Sequence, residues 1–578
     1  MSYILISILL TGVFAGIAKN KKNGNSVVCF SVVMFILLGL INYFGMPVLN
    51  LWGYYGLWWE ILFVTVGGAL LGIMHMEDGD PELVEGNGRK WFVPSGVFIL
   101  ITAVAFFSST VFNSRDYNEK LVVEEVAFES FSEDVDIIPV DKMIVADHNL
   151  ARKVVEDRLE EDPGLGSRCK VGEMTMQQLT GEFTIDGGKK LVFDNDVIWV
   201  APLEHSSFWK WVTNDVTPGY MLVYASDPTK TYKITEINGK PLKLRYIETG
   251  CYGDDIERHI RTSGYATQGI TEYNFEIDEN GRPYWVLCNH QPTIGFGGAR
   301  DAKGVITVDC QTGEVEQYAI EEAPAWIDHI QPEEFVTKQL KWWGEFKHGW
   351  WNSWVAERDV QEPTPGMVLV YSNGRCYWYT GVQSAGGDTS TSGFMLIDAR
   401  TKEARYYRVS GVNEQEAKRI VEDQNFCKAA NYFATSPVLY NVRGVPTYFM
   451  TLKGESGNVT GYAFMAVTNR QAVGVGSSKR EAEGNYLQSL KRTGNDNISD
   501  GAVLVVEAKK LTVRDITCEQ GIYYVLFKEV PGKEFTGSTE FFRELKWTKS
   551  GDKVEVTYGD GNSNVIPLDS FDNLDFAF

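Results

Sequence analysis

The sequence predicts a membrane-anchored α+β protein: four transmembrane helices, then tandem modules that each join an antiparallel meander to a helix, then a small C-terminal all-β barrel. Three observations carry that prediction. Four long apolar stretches lie in residues 1–112 and none follows; one strand–turn–strand phrase recurs four times; and the C-terminal piece packs short strands between glycine turns.

The apolar stretches are Tyr3–Ala18, Ser26–Gly45, Leu51–Met74 and Trp91–Phe112. Each approaches the roughly 20 residues that cross about 30 Å of hydrocarbon. The first has no basic n-region and no small-residue cleavage site before Lys19, so it reads as a helix rather than a secretory signal. Cytoplasmic loops are enriched in Lys and Arg. Lys19, Lys21 and Lys22 follow the first stretch and Arg89 and Lys90 precede the fourth, whereas Asn42–Asn50 carries no basic residue. The N-terminus and everything after Phe112 are therefore expected outside the cytoplasm. Glu60 is the one acid inside a stretch, a functional position by default. Trp52, Tyr54, Tyr55, Trp58 and Trp59 beside it read as an interfacial aromatic belt, which places it near the headgroups.

The formal charge is -22. Phosphate backbones are held by clustered Lys and Arg, so a nucleic-acid partner is not expected, nor docking of the whole body on anionic lipid. The acidic run from Asp116 to Asp136 reads as a stalk or as a solvated face. The expected boundaries are 1–112 for the anchor, 113–145 for the stalk, 146–265, 266–350, 351–428 and 429–494 for four α+β modules, and 501–578 for the barrel.

In the repeats, an aromatic strand precedes a glycine, an apolar strand, a polar turn and a third strand. The leading strands are Val197–Val200, Tyr284–Leu287, Tyr377–Tyr379 and Tyr448–Met450; the glycines are Gly219, Gly304, Gly393 and Gly461. β-Branched and aromatic residues suit a pleated surface, and the intervals hold turn formers. Candidate helices follow the meanders at Asp254–Arg261, Pro332–Phe346, Asn413–Glu422 and Ser478–Lys491, and one precedes them at Asn149–Glu161. Asn413 with Glu416 and Ser478 with Glu481 fit capping boxes. Modules this small are marginal alone and gain by packing on one another.

The fourth copy resembles the PepSY domain, a helix-and-sheet module of protease propeptides and bacterial envelope proteins. The resemblance rests on Pro446–Lys453, then Gly461–Val467, then Val475-Gly476 and a helix, with a similar phrase at Val308–Val315. It implies an extracytoplasmic, non-catalytic module that in some relatives inhibits or chaperones a protease.

After the boundary at Thr493–Asp500, Val503–Glu507, Ile522–Phe527, Phe541–Trp547 and Val554–Tyr558 read as strands parted by Pro531-Gly532, Ser550-Gly551 and Gly559–Gly561. That density indicates a barrel of SH3 or OB type. The seven cysteines of the body are scattered without ligand spacing. Free buried thiols are expected, with Cys288 and Cys310 the first pair to consider for a disulfide.

No nucleophile elbow, zinc motif or nucleotide fingerprint occurs in the body, so no catalytic residue, metal or cofactor is assigned. Gly295–Gly298 is glycine-rich but lacks the Lys and helix start of a phosphate cradle. His259, His290, His329 and His348, with Asp328, could serve acid–base chemistry if they converged. The candidate binding residues are Trp342, Trp343, Trp350, Trp351 and Trp354, the densest aromatic cluster. Exposed, they would anchor a partner or dip into the bilayer interface; buried, they would pack two modules. The function expected is a non-enzymatic, membrane-tethered binding or scaffold protein, its partner a protein or cell-envelope material, with homo-oligomers compatible. The alternative is an extracytoplasmic hydrolase with its site near His259–His348.

Overall fold

The structure, a computed structural model, describes residues 2–19, 24–74, 81–372, 374–385, 390–493, 509–519, 522–538, 542–558 and 565–576. Lys21, Lys22, the predicted strand Val503–Glu507, most of the predicted boundary before it and the turn Gly559–Gly561 lie outside these residues. The chain divides into two compact units, Met1–Phe128 with Lys142–Asn413 and Glu129–Asp141 with Glu414–Phe578.

The first unit opens with α1 (Ser2–Ala18), α2 (Gly24–Gly45), α3 (Gly56–Met74), α4 (Pro81–Phe107) and the short α5 (Thr110–Asn118). Phe14, Met34, Leu38 and Val64 form the seam between α1, α2 and α3. The seam is tight because α3 offers glycine: a Cβ at Gly68 would stand 3.0 Å from the Phe14 carbonyl oxygen, the small-residue contact that draws membrane helices together. Ile4, Val28, Ile36 and Ile99 face outward, a surface suited to lipid.

Four spans were expected, and the structure corrects this to two or three among the described residues. Gly24–Gly45 and Gly56–Ile73 are long and apolar enough to cross a membrane, and Phe92–Phe107 with Thr110–Asn118 adds a third if that pair, bent by 42°, is one span. Helix α1 has 17 residues, about 26 Å at about 1.5 Å per residue, which is short of a typical hydrocarbon core. Residues 51–55, counted in the third stretch, are not helical; their tyrosines serve the body instead.

Two antiparallel sheets come next in the first unit. One joins Cys169–Val171, Thr175–Ile185, Lys189–His205, Tyr220–Tyr224 and Asp227–Ile234; the other joins Gly269–Ile277, Pro283–Ile294, Gly298–Asp309 and Val315–Ala319. They share one core, in which the Tyr220 ring lies 5.8 Å from Phe275 and Phe275 lies 5.7 Å from Trp285. The third sheet is built on Val368–Ser372, Arg375–Ser384, Gly393–Asp398 and Ala404–Tyr407. Its edge is Val123–Val126, drawn from the acidic segment 113–145 and paired parallel to Ala404–Tyr407, with Leu121 buried in the same core.

In the second unit, Val438–Val442, Val445–Lys453, Val459–Ala466 and Val473–Gly476 form most of a five-stranded sheet. Helix Lys479–Arg492 starts on the Ser478–Glu481 capping box and crosses this sheet at Gly474, where a Cβ would come within 2.1 Å of the Tyr486 nitrogen.

The order of helix and meander is a second correction. Helix Glu333–Glu345 sends Val336 and Leu340 into the core of the third sheet, and helix Glu414–Glu422 joins the fourth, where Glu422 accepts the Ala434 N–H at 3.0 Å. Each of these helices packs on the sheet that follows it in sequence, and Glu333–Glu345 also touches the one before it, with the Phe335 ring 5.2 Å from His290.

The barrel as drawn from the sequence is corrected too. Ile522–Phe527 and Lys553–Tyr558 are strands, but the predicted strand Phe541–Trp547 contains a 3-10 turn at Arg543–Lys546. The strands that complete the set are Lys509–Glu519, Glu534–Ser538 and Val565–Asn573, and the five pair in a ring. One pairing, Glu534–Thr536 with Val565–Pro567, is parallel. All eight cysteines are free thiols. Cys288 lies opposite Val305, while Tyr284 lies opposite Asp309, so the strand register holds Cys310 several residues from Cys288, beyond disulfide reach.

A pair of carboxyls is enclosed in the body. Glu276 is fully buried, and burial beside Asp328 raises it well above the carboxylate range. Burial pushes Asp328 up to about 8, although the Gln178 N–H and the Arg400 guanidinium pull the other way. Arg400 is itself held by the carbonyls of Ala323, Pro324 and Ile327. Below about pH 4, Asp328 is protonated in both folded and unfolded chains; between about 4 and 8 only the folded chain keeps the proton, so stability falls as pH rises through that window. Asp328→Asn keeps an acceptor for Gln178 and removes the titration. It should raise the melting temperature at pH 8 by about 2–4 °C for each kcal/mol regained, and by less at pH 5. An equal change at both pH values in a thermal melt would refute this account.

Candidate functional site

The anchor and the body of the first unit meet at one hairpin tip. Strands Pro283–Ile294 and Gly298–Asp309 are joined through Gly295-Phe296-Gly297. Gly295 and Gly297 have φ of 51° and 75°, a left-handed backbone that glycine adopts without strain. Space demands glycine as well: a Cβ at Gly295 would lie 2.5 Å from Ser108 Oγ, and one at Gly298 would lie 2.3 Å from Tyr117 Oη. Phe296 alone carries a side chain here, and it enters a collar of Tyr55, Trp52 and Trp58, with ring centroids 5.1, 6.1 and 6.2 Å away. Such edge-on aromatic contacts add to the burial of the ring.

The polar atoms of the tip are met by the anchor. Phe296 N–H donates to Ser108 Oγ at 2.7 Å, and that hydroxyl donates to the Val104 carbonyl at 2.7 Å. Tyr55 Oη donates to the Phe296 carbonyl at 3.3 Å, and Tyr54 Oη to the His290 carbonyl at 2.8 Å. Backbone groups at the edge of hydrocarbon need such partners, because an unpaired one costs several kcal/mol. Farther out, Leu49 N–H donates to the Ala266 carbonyl at 2.8 Å, and the Arg258 guanidinium lies 3.9 Å over the Tyr43 ring at the end of α2.

The five predicted tryptophans divide around this junction. Trp342 packs edge-on against Tyr117 at 4.6 Å, and Trp343 against Tyr406 at 5.7 Å. Asn118 of α5 donates to the Trp343 carbonyl at 2.6 Å. Trp350 joins the Tyr117, Ile294 and Phe346 cluster, whereas Trp351 and Trp354 each keep 69% of their surface exposed. The cluster is thus partly packing and partly free surface. Tyr117 Oη donates to the Ser108 carbonyl at 2.9 Å, so the free indoles belong to a cluster that reaches the end of α4.

The histidines do not converge. His259 faces the Gly313 carbonyl at 2.7 Å, His329 meets Asn274 at 3.0 Å, and His348 meets Asp359 at 3.0 Å. Burial lowers His290 and His329 to about 4, which leaves both neutral near pH 7. Among the described residues no group of three His, Cys, Asp or Glu side chains could hold a metal ion. Glu60 lies near the start of α3, almost wholly enclosed, close to Asn42, whose amide donates to Ser7 Oγ at 3.1 Å.

Sequence reasoning passed over Phe296, Tyr54, Tyr55, Ser108 and Tyr117 as partners. The signal was present in Gly295–Gly298, judged only as a phosphate loop: a lone aromatic between glycines at a hairpin tip suits insertion into a groove. No family model matches the chain, and no curated protein matches it.

Truncating Phe296 to Ala removes a side chain that is 5% exposed, a loss of about 3–5 kcal/mol for a packed aromatic. Amide exchange in residues 290–300 should quicken strongly in this variant, and only modestly in Tyr54→Phe, which deletes one hydrogen bond worth about 1 kcal/mol. Unchanged exchange in Phe296→Ala would show that the tip does not fasten the body.

Proposed function

We propose that this protein is a non-catalytic, membrane-tethered binding or scaffold protein, whose body of the first unit is held on its anchor in one orientation so that its free surfaces meet a protein or cell-envelope partner. The observation that carries the reading is the Phe296 hairpin seated in the aromatic collar of the anchor. A flexible tether would need none of those contacts. The separate surroundings of the four histidines give the hydrolase alternative no assembled site, which favours binding. The Lys and Arg asymmetry of the loops supports a body outside the cytoplasm, and the sheet 438–476 with its helix is compatible with a PepSY-like module.

Two measurements on intact cells test this. A cysteine at Lys240, exposed in the short strand Lys240–Pro241, should react with an impermeant thiol reagent in a chain whose exposed Cys29 and Cys518 are replaced by Ser; protection equal to a cytoplasmic marker would overturn the outside assignment. A photo-reactive residue at Trp351 or Trp354 should yield a discrete adduct with a protein or envelope polymer. Adducts with lipid alone from both positions would remove this face as the partner surface.

A further inference from the structure

In a chain with net charge -22, one pocket of the body is lined by cations and by no carboxylate. It has a volume of about 240 Å³, and its lining includes Arg168, Lys210 and Lys243. The sheet builds it: Cys169 pairs with His205 at the end of strand Lys189–His205, helix Phe208–Thr213 follows directly, and Thr217 bridges to Leu244 beside Lys243. Among the described residues, none of the three cations has an ion-pair partner; Arg168 spends its Nε on the Gly164 carbonyl at 2.9 Å.

His205 lines the same pocket and is only 4% exposed, and its enclosed Nε2 has no hydrogen-bond partner. An enclosed, unpaired ring nitrogen costs free energy unless a ligand meets it. Burial lowers the His205 pKa, against the pull of Asp215 and Asp254, so the ring tends to neutrality and can donate from Nε2 in one tautomer. Three cations and one neutral donor around so small a space suit a dianion with several acceptor oxygens better than a single carboxylate.

The short helix that supplies Lys210 and Thr213 to the pocket turns other, apolar side chains to solvent. Phe208, Trp209 and Val212 of the short helix are exposed, and Trp211 packs 5.9 Å from the exposed Tyr252. Tyr252 is six residues from Arg258, which touches Tyr43 at the end of α2; six residues reach at most about 20 Å. Tyr252, beside Trp211, is thus within about 20 Å of the residue that meets the end of α2.

We propose that this pocket binds a phosphate-bearing ligand, with Arg168, Lys210, Lys243 and His205 on the phosphate. This goes beyond the scaffold reading and is independent of it. The overall acidity disfavours coating of the body with anionic lipid, but one local pocket can still take one headgroup.

The test uses the full chain in nanodiscs of zwitterionic phosphatidylcholine, titrated calorimetrically with inorganic phosphate and glycerol phosphate. Both should bind, with Kd on the order of 1 mM or tighter, and more weakly as salt rises. Lys210→Ala with Lys243→Ala, both on the surface, should weaken binding by about tenfold or more. His205→Gln, which keeps a polar side chain, should weaken it while the melting temperature stays near that of the parent chain. No heat from either ligand, or equal affinity in the lysine variant, overturns the proposal. Nanodiscs containing phosphatidylglycerol separate the sources: a fall in apparent affinity for free phosphate means that a lipid headgroup occupies the pocket, and an unchanged affinity means that the ligand is a soluble phosphate compound.

Discussion

The first unit depends on how a hairpin from a water-soluble sheet can end among membrane helices. Its peptide groups must be hydrogen-bonded there, because hydrocarbon offers no partners. Ser108 meets the demand with a single hydroxyl that accepts from Phe296 and donates to Val104, and Tyr54 and Tyr55 take the carbonyls of His290 and Phe296. The non-helical turn before α3 and the kink between α4 and α5 follow from this arrangement. A straight continuation of either helix would carry those donors away from the tip.

The same constraint organises the sheets. Strand Pro283–Ile294 carries Trp285 in the core shared by the first two sheets and ends at the junction. Helix Glu333–Glu345 connects that pair to the third sheet through Val336 and Leu340, and Asn118 of the anchor bonds to the carbonyl of Trp343 on the same helix. The acidic segment after α5 supplies the parallel edge strand of the third sheet. Anchor and body of the first unit are thereby linked by packed structure at several points of the chain.

Polar groups enclosed elsewhere fall into two kinds. Asp328 and Glu276 lie inside packing and titrate far from their ordinary range, a strain on the fold that the neighbouring Arg400 only partly relieves. His205 differs because it lines a pocket ringed by cations while its enclosed Nε2 has no hydrogen-bond partner. Burial of the first kind reports on stability, and burial of the second kind points to a ligand.

Local chemistry made much of the secondary structure legible. Helix Lys479–Arg492 begins at its capping box, and strands such as Gly393–Asp398 stand where apolar runs and turn residues placed them. Apolar runs located the membrane anchor, but they overstated it, since composition alone does not register where a helix ends or bends, as at Ala18 and between Phe107 and Thr110. Sequence spacing likewise did not reveal which sheet each helix covers, that Gly295–Gly298 is a plug, or that Arg168, His205, Lys210 and Lys243 share one pocket. Capping, turns and hydropathy act within a few residues, and so a sequence can display them. Which apolar faces meet, and which polar atoms stay unpaired, depends on contacts between residues remote in sequence, such as Tyr54 with His290 and Ser108 with Phe296, and only the folded chain decides those.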